Sequence, residues 1–346
     1  MTSERTAGDT AGLAAWRDGR AGRLLLRRPQ ALNALDLPLV RALAAQLRQW
    51  RDDPAIEIVI LQGEGRAFCA GGDVRAVRQA VLDEDYETAE TFFAEEYALN
   101  AAIAHFPKPY VSLIQGACMG GGLGISVHGS DRIVTESTVM AMPETAIGLT
   151  PDIGASYFLP RLAGFLGTYL GLTGARLAGA DAVHAGLATA YVPADRLADL
   201  AVALAGEGQP ALARFAAPLP DYSLAPVLPA IAEVFSAASV SAIQARLAAM
   251  AAASGFADWA GSAIAAMARV SPSAMCWSLA SLRRGAGLEL DEALAAEFRL
   301  VSQVIRQPDF AEGVRAMLVD KDRLPQWQPA RLDAVDPQLI ADLLGG

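Results

Sequence analysis

The chain has 346 residues, 53% of them apolar, with three cysteines and a formal charge of −10 at pH 7. Such a length buries a large core and allows one large domain or two. The acidic balance disfavours nonspecific nucleic-acid binding and anionic membranes, and charged residues interrupt every long apolar stretch, so no segment reads as a membrane span. Lys108 and Lys321 are the only lysines, so an anionic ligand would have to be met by arginines.

The first 22 residues mix Glu4, Asp9 and Asp18 with Arg5, Arg17 and Arg20 and contain no apolar core segment. That argues against a secretory signal or an acid-poor transit peptide. Residues 1–22 read as a flexible start before a strand at Leu24-Leu-Leu26. Asp36 precedes Leu37-Pro38, an N-cap and first-turn signal. Val40, Leu43, Leu47 and Trp50 then recur at helical spacing until Pro54 ends the pattern. Ile56 to Leu61 is apolar but for Glu57 and reads as a mostly buried strand.

Two glycine-rich loops each follow an apolar strand. The first is Val59-Ile-Leu-Gln-Gly-Glu-Gly-Arg-Ala-Phe-Cys-Ala-Gly-Gly-Asp73 and the second Val111-Ser-Leu-Ile-Gln-Gly-Ala-Cys-Met-Gly-Gly-Gly122. Glycine turns let backbone amides approach a ligand without side-chain obstruction. Where such a turn opens a helix, the amides are unpaired and suit developing negative charge. Two loops of this kind can supply the two converging donors of an oxyanion hole, with the carboxylate of Pro143-Glu144 beyond them. Competing motifs fail on spacing. No G-x-x-x-x-G-K-[ST] occurs, Phe68 stands where a dinucleotide fingerprint needs its third glycine, and His128 replaces the closing glycine of a nucleophile elbow at Gly124-Ile-Ser126.

Between and after the loops, Asp73 to Ala80 and Tyr86 to His105 read as helices and Val111 to Ile114 as a strand. The second loop opens a helix through Val127, followed by short strands at Arg132 to Thr135 and Thr138 to Met142. Strand, turn and helix alternate to about residue 200, the pattern of an α/β domain. Pro218 to Pro229 is loop-like. Beyond it lie helical patterns, one beginning with Ile243, Leu247 and Met250 and another from Leu290 to Ile305. The division is therefore 1–22 as a flexible start, 23–217 as an α/β core and 218–346 as a helical C-terminal region.

On the second of the helices, Phe92, Glu96, Leu99 and Ile103 share one face, so a glutamate interrupts an apolar stripe. A buried carboxylate is costly unless paired or functional. Glu144 follows Pro143 on a stiffened loop, as a general base or nucleophile needs. Asp152 follows Pro151; a helix N-cap is its plain structural reading. Cys69 reads as a small packing residue, and His128 as a hydrogen-bonded core histidine. Cys69, Cys118 and Cys276 are odd in number without metal-ligand spacing, which fits reduced thiols and a cytoplasmic location. His105, His128 and His184 form no H-x-x-x-H pair, so no metal is expected.

These residues resemble the crotonase (enoyl-CoA hydratase/isomerase) superfamily, and within it the 3-hydroxyisobutyryl-CoA hydrolase branch. The superfamily elements are Arg28-Pro-Gln-Ala-Leu-Asn33-Ala-Leu, Phe68-Cys-Ala-Gly-Gly-Asp73, Met119-Gly-Gly-Gly122 and Pro143-Glu144. The branch elements are Phe93-Ala-Glu-Glu96-Tyr, Ser126-Val-His-Gly129, Met142 to Asp152, Tyr157-Phe-Leu-Pro-Arg161 and Asp309 to Asp322. The resemblance spans residues 23 to 332 and implies a ClpP/crotonase-like α/β spiral of ββα turns, a C-terminal helical region and an acyl-CoA thioester substrate.

Hydratases of the superfamily carry a glutamate where this chain has Gly124, and the hydrolase branch carries instead an aspartate eight residues after the remaining glutamate, here Asp152. The resemblance thus implies hydrolysis of a short β-hydroxyacyl-CoA in valine degradation. Gly72 and Gly121 would supply the oxyanion donors, Glu144 and Asp152 the chemistry, and Glu96 would join the substrate pocket. It also implies that CoA binds near Asn33, Ala34 and Leu35 and along Ala67, Ala70, Gly71 and Asp73, with no separate cofactor, and it leaves homo-oligomerisation open. The alternatives are an enoyl-CoA hydratase or isomerase using Glu144 alone, and a noncatalytic CoA- or RNA-binding scaffold. The retained carboxylates and glycine loops count against the scaffold, as does the acidic charge for RNA.

Overall fold

The computed structural model describes residues 8–252, 255–339 and 341. Within them the chain forms two compact units, each assembled from three separate stretches. The first comprises the chain up to Asp73, Glu95–Met140 and Leu177–Tyr222. The second comprises Val74–Ala94, Ala141–Arg176 and Ser223 onward. A cut near residue 218, as the proline-rich stretch suggests, does not describe this arrangement. The helical C-terminal region shares its unit with the loop that carries Glu144 and Asp152.

The first unit holds the strands β1 (Gly8–Thr10), β2 (Leu13–Asp18), β3 (Ala21–Leu26), β4 (Ile58–Gly63), β5 (Ala67–Cys69), β6 (Tyr110–Ile114), β7 (Ala117–Met119), β8 (Asp131–Val134), β9 (Val139–Ala141, whose last residue falls in the second unit), β10 (Leu177–Ala178) and β11 (Ala190–Tyr191). Among the described residues one sheet runs β1-β2-β3-β4-β6-β8-β11 and another β10-β9-β7-β5. From β3 onward the larger sheet is parallel. Successive strand pairs β4/β5, β6/β7 and β8/β9 each send one strand to the large sheet and the next to the small one. That is the ββα spiral.

Both faces of the large sheet are covered, as a parallel sheet requires. Ile58, Ile60, Val111, Leu113 and Ile133 form one core with Leu197, Leu200 and Leu204 of the helix Leu197–Glu207. The alternate positions Val59, Leu61 and Tyr110 are equally buried.

The flexible start expected over residues 1–22 is corrected from residue 8 onward. β1 and β2 form a hairpin joined by Ala11 and Gly12, both with left-handed φ, and β2 pairs along its whole length with β3. Leu13 and Ala14 bury their side chains, which the charge count of this stretch concealed. Residues 1–7 lie outside the described residues.

Four helices can be placed in chain order: α1 (Leu37–Arg51), α2 (Val74–Leu82), α3 (Tyr86–Ala104) and α4 (Gly121–Val127). α1 begins as its sequence predicts, with Asp36 Oδ1 accepting from Leu39 N at 2.9 Å. Its stripe of Val40, Leu43, Leu47 and Trp50 is buried.

In the second unit the helices Leu166–Thr173, Leu228–Phe235, Val240–Ala251, Ala257–Met267, Pro272–Gly285, Leu290–Val304 and Pro308–Val314 follow one another. Tyr169, Phe235 and Trp259 join three of them in one aromatic cluster, with ring centroids 5.2 Å apart for Tyr169–Phe235 and 5.9 Å for Tyr169–Trp259. Among the described residues no helix is long and apolar enough to cross a membrane.

Replacing Asp36 by Ala removes the cap and the 3.0 Å ion pair of Asp36 with Arg28. We expect chemical denaturation to show a loss of about 0.5–2 kcal/mol with an unchanged denaturant slope.

Candidate active site

The first group of site residues lies in the first unit. β5 and β7 are parallel neighbours with Cys69 opposite Cys118, so the two glycine turns that follow them leave the small sheet side by side. The first turn is tied to the Leu32–Leu35 segment by three backbone bonds, Leu35 N to Gly71 O, Asp73 N to Leu35 O and Ala70 N to Leu32 O, at 2.9, 2.8 and 3.0 Å. Gly71 at φ +108° makes the turn, a conformation costly for any residue with a Cβ. The second turn passes through Gly120 at φ +48° and opens α4 at Gly121.

The amides of Gly72 and Gly121 donate to no partner among the described residues. They are also close: a Cβ built on Gly121 would lie 3.2 Å from the Gly72 nitrogen. The structure thus brings together the two donors that the sequence singled out. The same Cβ would overlap Glu96 Oε1, so glycine at 121 is what lets the Glu96 carboxylate lie against this turn. Glu96 is 2% exposed and shares its buried face with Phe92, Leu99 and Ile103, as the spacing on α3 predicts.

The segment expected to receive CoA is built as follows. Asn33 has a left-handed φ of 56° and is fully buried. Its Oδ1 accepts from Arg28 N at 2.9 Å, and its Nδ2 donates to the carbonyls of Glu64 and Ala67 at 2.9 and 2.8 Å. The Asn33 side chain is therefore spent on clamping this loop to the first glycine loop, and its neighbours shape whatever surface lies there. Ala34 O accepts from Arg28, Leu35 and Ala67 are buried, and Ala70 is half-buried. Asp73 lies 3.6 Å from the Arg28 guanidinium, which also pairs with Asp36.

Cys69 is fully buried, and desolvation pushes its thiol up to about 12, which removes it as a nucleophile. His128 caps the C-terminus of α4 and is half-buried, more exposed than a core histidine. No group of three or more His, Cys, Asp or Glu residues among the described ones is placed to hold a metal.

The second group lies in the second unit, on one loop. Glu144 opens a short 3-10 turn, Glu144–Ile147, that Gly148 closes at φ +68°. Leu149 N donates back to Glu144 O at 3.0 Å. The C-terminal helices grip this turn. Ser271 N donates to Thr145 O at 3.1 Å, the Gly148 Cα rests on the Asp309 backbone with no room for a Cβ, and the Gly313 Cα rests on Ile147. Asp309 is itself fixed, accepting from Ser271 Oγ at 2.5 Å and Gln328 N at 2.6 Å. Glu144 and Asp152 are 6% and 4% exposed, a degree of burial rare for carboxylates without a task or a partner.

The N-cap reading of Asp152 is overturned by a residue that the sequence reading missed. The helix after it, Ala155–Phe158, has no capping bond from its N-cap residue Gly154. Gly154 N and Ser156 N donate instead to the two carboxylate oxygens of Glu297, at 2.6 and 2.7 Å, and Ala155 N goes to the Asp152 carbonyl. Glu297 is 1% exposed on the helix Leu290–Val304. Burial pushes its carboxyl up to about 8 against hydrogen bonds from Ser156 and Gly154, and the charge of Asp152 adds to the push. The signal was available: Leu294, Glu297, Val301 and Val304 recur at helical spacing, so Glu297 interrupts an apolar stripe as Glu96 does.

The chain is similar to known proteins along most of its length. The family model described as enoyl-CoA hydratase/isomerase matches residues 21–344. The mitochondrial 3-hydroxyisobutyryl-CoA hydrolase of Xenopus laevis is 42% identical over 335 residues, covering 93% of this chain and 86% of the relative. The 3-hydroxyisobutyryl-CoA hydrolase 1 of Arabidopsis thaliana is 42% identical over 333 residues, covering 92% and 87%. A crystal structure titled carnitinyl-CoA dehydratase, from Mycobacterium thermoresistibile, superposes with a TM-score of 0.91 at 38% identity, covering 96% of each chain.

The burial of the thiols gives a direct check. In the native protein a maleimide at pH 8 should label Cys276 slowly and leave Cys69 and Cys118 untouched, with all three labelled after unfolding; peptide mass spectrometry reads the sites. Labelling of native Cys69 at a rate comparable to free thiol would contradict the packing described.

Proposed function

The chain belongs to the enoyl-CoA hydratase/isomerase family, and we propose that it is an acyl-CoA thioester hydrolase whose substrate is 3-hydroxyisobutyryl-CoA. The carrying observation is the distribution of carboxylates. α4 holds none, and Gly124 stands where a hydratase needs its acid or base, whereas Glu144 and Asp152 are both buried on one loop. Addition of water across a double bond needs a base for water and an acid for carbon, whereas thioester hydrolysis needs one activated nucleophile and an oxyanion site. The names of the curated relatives point the same way.

In this reading the amides of Gly72 and Gly121 receive the thioester oxygen, and the negative charge of the tetrahedral intermediate falls on them. One such donor is typically worth about 2.7–4 kcal/mol of transition-state stabilisation. The Glu144 carboxylate attacks the carbonyl carbon, or takes a proton from the water that does. If it attacks, the carbon–sulfur bond breaks and the CoA thiolate leaves and takes up a proton. Water then opens the acyl–Glu144 anhydride to the free acid and the carboxylate. Asp152 orients the β-hydroxyl of the acyl group, Glu96 borders the oxyanion turn, and the backbone from Ala67 to Asp73 with Ala34 and Leu35 receives CoA.

No metal or redox cofactor enters the scheme, since water and one carboxylate suffice. The three unpaired cysteines support a cytoplasmic location; the mitochondrial designation belongs to some of the relatives. Homo-oligomerisation is left to measurement.

A structural neighbour named as a dehydratase favours a second reading, hydration of a short enoyl-CoA. Two assays separate them. Thiol release from 3-hydroxyisobutyryl-CoA supports the hydrolase. Loss of crotonyl-CoA absorbance without thiol release supports the hydratase and sinks the first reading.

Glu144→Ala should lower turnover by about 10²–10⁴-fold for every acyl group, as expected for loss of the group that drives proton transfer or attack. Asp152→Asn should cost 3-hydroxyisobutyryl-CoA at least about tenfold more than unsubstituted isobutyryl-CoA, because a buried polar site discriminates strongly against an analogue that leaves it unpaired. Steady-state kcat/KM on both thioesters measures this. Equal losses would move Asp152 into acid–base chemistry.

A further inference from the structure

We propose that Glu297 is a positioning residue for Asp152, holding that carboxylate in place through the backbone of the turn that follows it. The inference rests on the role given to Asp152 above. It starts from the strain in that turn. Ile153 is β-branched yet has φ +57°, and Gly154 follows at φ +87°, so two successive residues stand in the left-handed region. A β-branched residue held there persists only when its surroundings over-determine it.

Glu297 supplies that determination. Its two oxygens take the amides of Gly154 and Ser156, which flank Ala155, so the peptide planes on both sides of the turn are fixed by one rigid planar group. The Ser156 side chain adds a further hydrogen bond. Behind the turn, the Gly285 Cα lies against the Ser156 backbone with no room for a Cβ. The helix bearing Glu297 follows the one ending at Gly285, so two consecutive helices close on this short segment.

The arrangement has a cost that pure folding would not require. A carboxylate is buried among apolar side chains and faces a second carboxylate, Asp152, whose charge disfavours its own. A Ser, Thr or Asn at the N-cap would satisfy the Ser156 amide from the local chain more cheaply. Using Glu297 instead relieves Asp152 of capping, the duty an aspartate at this place in a turn would otherwise take. The amides of Gly154 and Ser156 are thereby committed to Glu297, which holds from behind the turn that carries Asp152.

The test is a double-mutant cycle in the full-length protein. Asp152→Asn, Glu297→Gln and the double variant are compared with wild type, using kcat and KM on 3-hydroxyisobutyryl-CoA and on isobutyryl-CoA. Glutamine keeps the shape of Glu297 but turns an amide donor toward one of the two N–H groups. Glu297→Gln should lower kcat/KM on the hydroxyacyl thioester by about tenfold or more, with the same shift in substrate preference as Asp152→Asn. In the Asp152→Asn background it should add less than about twofold, because residues acting as a unit are not additive.

Losses that multiply, or a loss equal on both thioesters while Asp152→Asn is selective, would overturn the proposal and leave the role of Asp152 intact. Normal kinetics of Asp152→Asn itself would overturn that role, and the proposal with it. Should Glu297→Gln fail to fold, Ser156→Ala removes only the hydroxyl bond to Glu297. It should show the same change of preference at smaller size, and an unchanged preference would overturn the proposal.

Discussion

A backbone amide can stabilise an oxyanion only if the fold leaves it without a partner, and that is difficult to arrange because buried amides are almost always paired. The first unit achieves it through two strands of three residues each. β5 and β7 satisfy one another as parallel neighbours and stop where the glycine turns begin. Past that point each chain is held by other means. The first turn is held by its bonds to Leu32 and Leu35, and the second by the onset of α4. Among the described residues, the amides of Gly72 and Gly121 donate to no partner. Side chains at Gly121 and Gly122 would overlap Glu96 and the Cys69 carbonyl, so the close approach of the two turns depends on glycine at both. Arg28 and Asn33 carry the same constraint outward by fastening the neighbouring loop to the first glycine loop.

The second unit solves a different problem with a similar logic. A loop bearing two carboxylates tends to solvate them, and solvated carboxylates are flexible. Here residues far along the chain hold the loop through its backbone: Ser271 at Thr145, Asp309 at Gly148, Glu297 at Gly154 and Ser156. The backbone is thus fixed by groups outside the loop, which is how a preorganised site avoids reorganising during reaction. The C-terminal helices are in this sense part of the framework of the loop that carries Glu144 and Asp152, and not an appendage to it.

Much of this was legible in the sequence where it was local. The cap at Asp36, the stripe on α1, the glycine turns and the buried position of Glu96 all follow from spacing within about ten residues. What was not legible was long-range. The strands β5 and β7 are too short to show a period, and lie inside stretches that read as loops. The hairpin of β1 and β2 is disguised by Arg17 and Asp18, which end β2, although Leu13 and Ala14 at its start are buried. The division into interleaved units cannot be read from composition, because each unit is closed by contacts between stretches more than a hundred residues apart. The local stripe marks Glu297 as buried, but what it holds is not legible there, since its partners, Gly154 and Ser156, are 143 and 141 residues away.

The distribution of acid groups then limits the chemistry. α4 is buried from Gly121 through Ser126 and contains no titratable side chain, so its contribution is the amide at its start. A second acid or base on that helix would have to be desolvated there, at a cost that only a paired or reacting group offsets. This chain instead places its second carboxylate, Asp152, on the same loop as Glu144, and assigns the capping of that loop to Glu297. Acids concentrated on one loop match the proposed reaction, in which a single nucleophile is driven onto carbon. They match poorly a reaction that must deliver a proton to carbon from a helix lacking any acid. The carboxylate missing at Gly124 and the one present at Asp152 are two parts of the same chemical choice.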